Sequence, residues 1–129
     1  EAMRILGFGR LWPKLDQPRF TTYRYARLDR DWEQDEVVQV VLKPVSRSRV
    51  VLGVARIINK ELRELDDFFQ RRYPDSDLGQ VPVVTEEEAQ ADGFATVAEM
   101  VDYFVKQHGD LDYTSLVNKL TLEWVERSV

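Results

Sequence analysis

Two arginines and a threonine hydroxyl fall close together in the segment Gln17-Pro18-Arg19-Phe20-Thr21-Thr22-Tyr23-Arg24. Guanidinium groups hold anions and base edges through charge-assisted, often bidentate hydrogen bonds, which makes Arg19 and Arg24 candidate clamps for a phosphate or a heterocycle. Residues two apart on an extended strand share a face, so Thr22 and Arg24 are directed into one cleft. Just upstream, Trp12-Pro13-Lys14 adds a ring and a cation, and Arg10 and Arg27 add further positive charge. Such a stretch suits a nucleic acid. Cations meet phosphates in a sequence-blind, salt-sensitive way, while a ring such as Trp12 or Tyr23 offers a face for a base. The competing structural reading assigns rings to the core, and Trp32 and Trp124 are expected there.

Other chemistries find little material. The chain has no cysteine, which excludes a disulfide scaffold, a thiolate zinc site and a cysteine nucleophile together. Its one histidine, His108, leaves a Ser–His–Asp triad a single candidate base and makes a His-rich metal site impossible. His108 reads as a cation at a helix C-terminus, and Glu86-Glu87-Glu88 as acidic charge in a first helical turn rather than a metal site. Gly7-Phe8-Gly9 lacks the third glycine and the strand–helix context of a dinucleotide fingerprint. No metal and no cofactor is expected.

The elements that must carry these residues follow from pattern. Met3–Gly9 reads as a strand, Leu11–Pro18 as a loop or one helical turn, and Phe20–Ala26, rich in threonine and aromatics, as a strand. Asp29–Asp35 is a polar turn. Glu36–Lys43 is the clearest strand, joined by a hairpin loop at Pro44–Ser48 to a returning strand Arg49–Asn59, in which Gly53 suggests a bulge or a close backbone approach. Leu62, Leu65, Phe68 and Phe69 have helical spacing ahead of a loop at Tyr73–Gln80. Thr85-Glu86-Glu87-Glu88 and Thr96-Val97-Ala98-Glu99 are capping boxes. They open a short helix over Thr85–Ala91, stopped by Gly93, and a longer one over Thr96–His108 with Val97, Met100, Val101, Phe104 and Val105 in a stripe. Lys119–Arg127 alternates as a final strand. Hairpins without βαβ alternation predict a mainly β protein, a small barrel of five or six mostly antiparallel strands with two or three peripheral helices.

Length and composition agree with one ordinary domain over residues 1–129: 43% of residues are hydrophobic and 32% charged. No apolar run approaches the roughly 18 residues of a membrane span. The first fifteen residues hold only Ile5-Leu6-Gly7-Phe8 between arginines, so no secretory leader is expected and the cytoplasm is the expected compartment. The net charge of −5 conceals an asymmetry, with residues 1–72 at +4 and residues 73–129 at −9. A basic anion-binding surface on an acidic protein, or two halves that neutralise each other, would both produce it.

With those residues in view, the chain resembles the ASCH domains of the PUA-like superfamily. Arg19, Thr22 and Arg24, with Gln17 ahead of them, have the spacing of the family's Gly-x-Lys-x-x-Thr-x-Arg motif. Trp12 lies where an aromatic often follows the first strand, and Gln34-Asp35-Glu36-Val37 is similar to a Gly-Asp-x-Val turn. Leu52-Gly53-Val54-Ala55-Arg56-Ile57 is similar to the next strand, and Thr85–Phe94 resembles a short helix ending in Glu-Gly-Phe, with Asp92 at the Glu. The resemblance implies a PUA-like barrel and a cleft for RNA or a modified nucleotide lined by Trp12, Lys14, Arg19, Thr22, Arg24 and Asp92. Some members are amidohydrolases acting on acetylcytidine with a Lys, a Thr and a Glu, and others are ribonucleases. The matching positions here are Arg19, Thr22 and Asp92. A guanidinium cannot lose its proton to serve as a base, so Arg19 can hold an anion but cannot activate Thr22, and only Lys14 is near in sequence to substitute. Binding is therefore favoured over hydrolysis.

Overall fold

Valine-rich alternation dictates the sheet. The computed structural model describes residues 3–27, 29–43, 47–65, 74–75, 81–108 and 116–128. Its strands are β1 (Arg4–Phe8), β2 (Arg19–Arg24), β3 (Val37–Leu42), β4 (Val50–Glu64) and β5 (Leu116–Arg127), with helices α1 (Glu86–Asp92) and α2 (Val97–His108) between β4 and β5. A single 3₁₀ turn, Pro13–Asp16, joins β1 to β2. The strands form one sheet in the order β1-β3-β4-β5-β2. β1 runs parallel to β3, with Leu6 opposite Val40, and β3 runs antiparallel to β4, with Leu42 opposite Val50. The protein is mainly β and its sheet is mixed. No helix among the described residues is long and apolar enough to cross a membrane.

The β3–β4 hairpin keeps its expected partners, although residues 44–46 of its loop lie outside the described set. The register slips between Val40 and Val41, which face Gly53 and Val51, so the bulge falls where the glycine predicted it. Gly53 has φ +151°, and a Cβ there would stand 2.2 Å from the Glu126 carbonyl oxygen. Both meanings of a strand glycine, bulge and close backbone approach, apply at once.

One expectation is corrected. The spacing of Leu62 and Leu65 predicts a helix, but β4 continues through Glu64 and Leu62 projects from it into solvent. The reason is a partner remote in sequence: the Glu64 amide donates to the Pro82 carbonyl at 2.9 Å and the Val84 amide donates back to the Glu64 carbonyl at 2.8 Å. Those bonds satisfy the backbone in an extended form that local periodicity does not reveal. Phe68, Phe69 and most of the loop expected at Tyr73–Gln80 lie outside the described residues.

The chain divides into two compact units. The first comprises residues 1–22, 27–60 and 120–129, and its core holds Leu6, Leu15, Val38, Val40, Ile57 and Leu120. Phe20 packs against Trp124 with ring centroids 5.3 Å apart, and the Trp124 indole donates to the Leu15 carbonyl at 3.1 Å. Arg4 joins β1 to the turn before β3. Its guanidinium grips both oxygens of Glu36, donates to the Arg30 and Asp31 carbonyls, and lies 4.5 Å from the centre of the Trp32 ring, which is buried as expected.

The second unit comprises residues 23–26 and 61–119. The first of the two predicted capping boxes forms in full. The Thr85 hydroxyl accepts from the Glu88 amide while Glu88 accepts from the Thr85 amide, and Gly93 ends α1 at φ 115°. The Thr96 hydroxyl accepts from the Glu99 amide at 3.1 Å at the start of α2. Leu65, Ala89, Phe94, Met100, Phe104 and Val117 are buried in this unit.

Candidate functional site

The second unit receives only Tyr23-Arg24-Tyr25-Ala26 from the N-terminal quarter of the chain, and its site is built around them. It holds 6 Lys/Arg against 14 Asp/Glu, a net of −8, whereas the first unit holds 12 against 9, a net of +3. Arg24 is thus a cation in acidic surroundings. Burial pulls its guanidinium down to a pKa of about 10, against the opposing influence of Tyr103 and Asp92 nearby. It stays protonated at neutral pH. Asp92 is the last residue of α1 and only 5% exposed, held at the point where Gly93 turns the chain.

Tyr103 stands on α2 with its ring 5.4 Å from Phe94 and 6.0 Å from Phe104, centre to centre. Phe104 in turn meets the edge of Tyr25 at 5.4 Å. This row is anchored in the core through Phe94 and Phe104, yet Tyr103 itself remains 36% exposed.

Strand parity sends Tyr23 to the face of β2 opposite Arg24. It is 4% exposed, and no atom among the described residues lies within hydrogen-bonding reach of its hydroxyl. Burial raises its pKa above the ordinary phenol value, the charges of Glu88 and Asp92 raise it further, and Arg63 opposes them. Glu88 is the hub of this side. One of its oxygens accepts from the Thr85 amide at 3.1 Å, and the other accepts from Lys119 Nζ at 2.5 Å and Arg63 Nε at 3.2 Å. Burial alone would raise the Glu88 pKa, but Lys119, the Thr85 amide and Arg63 together hold it below the usual value.

The remaining residues expected at a site belong to the first unit, and their surroundings there are specific. Arg19 is exposed and donates to Glu123 at 2.8 Å. Thr22 is buried. Trp12 is only 5% exposed and has the Arg10 guanidinium 3.5 Å from its ring centre. Lys14 Nζ lies 5.5 Å from the Phe8 ring and 5.6 Å from that of Trp12. Trp12 and Tyr23 therefore have little ring surface to offer a ligand. A groove of about 360 Å³ in this unit, between Met3, Arg30, Gln34 and Asp35, is of mixed charge, and both its arginines reach Glu36.

The second unit contains both Arg24 and Asp92, and its helix α2 carries Tyr103, which the sequence did not single out. A guanidinium supplies donors and a carboxylate acceptors, and the guanidinium cannot serve as a base. Among the described residues no three His, Asp or Glu side chains converge as metal ligands. The signal for Tyr103 was faint but present: it lies three residues beyond Met100, flanking the apolar stripe of α2, where a ring can be half in the core and half in solvent. No family model, curated protein or solved structure matches the chain.

Proposed function

We propose that the chain is an ASCH-like domain of the PUA-like superfamily that binds RNA or a modified nucleotide, with Arg24 and Asp92 at the ligand. The observation that carries this function is the meeting of these two residues in one unit. They lie far apart in sequence and occupy two positions of the motif order. A desolvated guanidinium forms stronger hydrogen bonds to a ligand than one in water, because the surroundings screen it less. A barrel goes with this assignment. Phe8 on β1 and Phe20 on β2, the strands at the two ends of the sheet, pack edge to face with centroids 6.2 Å apart, which supports curling of the sheet toward closure. Hydrolysis is disfavoured because the lysine position and the threonine are poorly equipped for it: Arg19 is a permanent cation paired with Glu123, and Thr22 is buried.

The test is binding of a short labelled single-stranded oligoribonucleotide, followed by fluorescence anisotropy at low salt. Wild type should bind, and Arg24→Gln should bind roughly ten-fold more weakly, as loss of a charge-assisted hydrogen bond requires. Thermal unfolding of both proteins separates lost binding from lost structure. Absence of binding by folded wild type overturns the function. Release of acetate from acetylcytidine, abolished in Thr22→Ala, would replace it with the amidohydrolase activity.

A further inference from the structure

We propose that the end of the first unit's sheet where β1 and β3 finish and β4 begins is a docking surface for the sugar-phosphate backbone of a single nucleic-acid strand. The class of partner rests on the binding function proposed above. The surface itself is a separate one, since Arg24 and Asp92 belong to the second unit.

Strand pairing gathers the cations. Phe8 at the end of β1 lies opposite Leu42 at the end of β3, and the Lys43 amide donates to the Phe8 carbonyl at 2.7 Å. Leu42 in turn lies opposite Val50, the first residue of β4. Arg10, Lys43 and Arg49 therefore leave three neighbouring strands at one end, where strand axes are about 4.8 Å apart, and Arg47 stands two residues before Arg49. All four are exposed. Lys14 joins Arg10 through a shared ring: the Arg10 guanidinium is 3.5 Å and Lys14 Nζ 5.6 Å from the centre of Trp12.

The rest of the unit shows what is unusual here. Arg4, Arg19, Arg27, Arg30, Lys60 and Arg127 each hold a carboxylate. Among the described residues no carboxylate pairs with Arg10, Lys43, Arg47 or Arg49, and Arg56, further along β4, is the only other arginine of the unit of which that holds. Like charges gathered without a counter-charge repel one another, and a polyanion relieves that repulsion. Arginine forks match phosphodiester oxygens two at a time, and a backbone offers such oxygens in a row. Arg10 favours a nucleic acid over an anionic lipid surface. Its guanidinium rests on Trp12 at van der Waals distance, so its outward face suits an unpaired base while its edges reach a phosphate.

The experiment titrates salt against the anisotropy of a short labelled oligoribonucleotide bound to the whole chain. It compares wild type with a variant combining Lys43→Gln, Arg47→Gln and Arg49→Gln. Wild-type affinity should fall steeply as salt rises. The triple variant should bind about ten-fold or more weakly at low salt, and its plot of log affinity against log salt should be shallower by about two, as loss of three phosphate contacts requires. A deoxyribose strand of the same sequence should lose as much, because the surface reads neither the sugar hydroxyl nor the base. Thermal unfolding checks that the variant is folded. In wild type, bound RNA should also shield Lys43 from acetylation, a readout that needs no variant. RNA binding by the folded triple variant equal to wild type in strength and salt slope, or Lys43 acetylated as fast with RNA as without it, overturns the surface and leaves the site at Arg24 standing. Weakening by the triple variant but none by Arg24→Gln supports the surface and overturns the site at Arg24. A wild type that binds no RNA overturns both. Binding to phosphatidylserine vesicles that the triple variant loses, with RNA binding unchanged, overturns the proposal in favour of a membrane.

Discussion

Tyr23 shows how a single hydroxyl can work against the fold that contains it. A buried polar group without a partner forfeits the hydrogen bonds it made to water, a cost of about 1–3 kcal/mol. Among the described residues Tyr23 is in this position, and the charges of Glu88 and Asp92 also favour its protonated form. Replacing it with phenylalanine keeps the ring and removes the orphan. Tyr23→Phe should therefore raise stability by about 1 kcal/mol, read as a higher denaturant midpoint with an unchanged slope. A loss of that size instead would mean that the hydroxyl serves a partner in solution. Arg24, one residue on, is the opposite case: its charge is kept in a buried and costly place.

At the scale of elements, Glu88 fastens α1 to the strands on either side of it, through Arg63 on β4 and Lys119 on β5, while also capping its own helix. Its pKa in the folded protein lies below the ordinary 4.5, so the stabilisation is complete above that value and is lost as the pH falls through the folded one. Glu88→Gln should cost about 1–3 kcal/mol at neutral pH. The gap to wild type should narrow as the pH falls below the ordinary 4.5 and through the lower folded-state value, as seen in denaturant midpoints across an acid series. A gap that holds constant into acid would show that the carboxylate charge is not what fastens the helix. The cap was legible in advance because capping is local chemistry written within four residues, and so were the bulge at Gly53 and the strands themselves. The extension of β4 to Glu64 was not, because its hydrogen bonds come from Pro82 and Val84. The site divides in the same way. Arg24 and Asp92 stand out by motif spacing alone, whereas Trp12 looked available because nothing in the sequence says that Arg10 lies over it. Tyr103 was passed over because whether a residue beside an apolar stripe is covered depends on Phe94, from another segment.

For the molecule as a whole, the division of charge sets what kind of ligand is welcome. A cationic surface would favour phosphates and lose affinity steeply as salt rises. The unit that contains Arg24 has the opposite sign, at −8. Affinity for cytidine should accordingly be flat across added salt, and a 5′-phosphate on the same nucleoside should weaken binding at low salt, both measurable by calorimetry. A monophosphate that binds several-fold tighter than the nucleoside at low salt would contradict that account. The way the first unit is assembled has a consequence in time as well as in space. Of its three stretches, residues 1–22 and 27–60 already meet where β1 pairs with β3, and the third is added last, with Gly53 pressed to the Glu126 backbone. A chain leaving the ribosome can pair β1, β3 and β4 first, while β2, whose neighbour in the sheet is β5, waits for the last strand to be made. Closing so long a loop is the slow step for a sheet of this kind, so the newly made protein passes through an interval in which the backbone of β2 has yet to meet its strand partner.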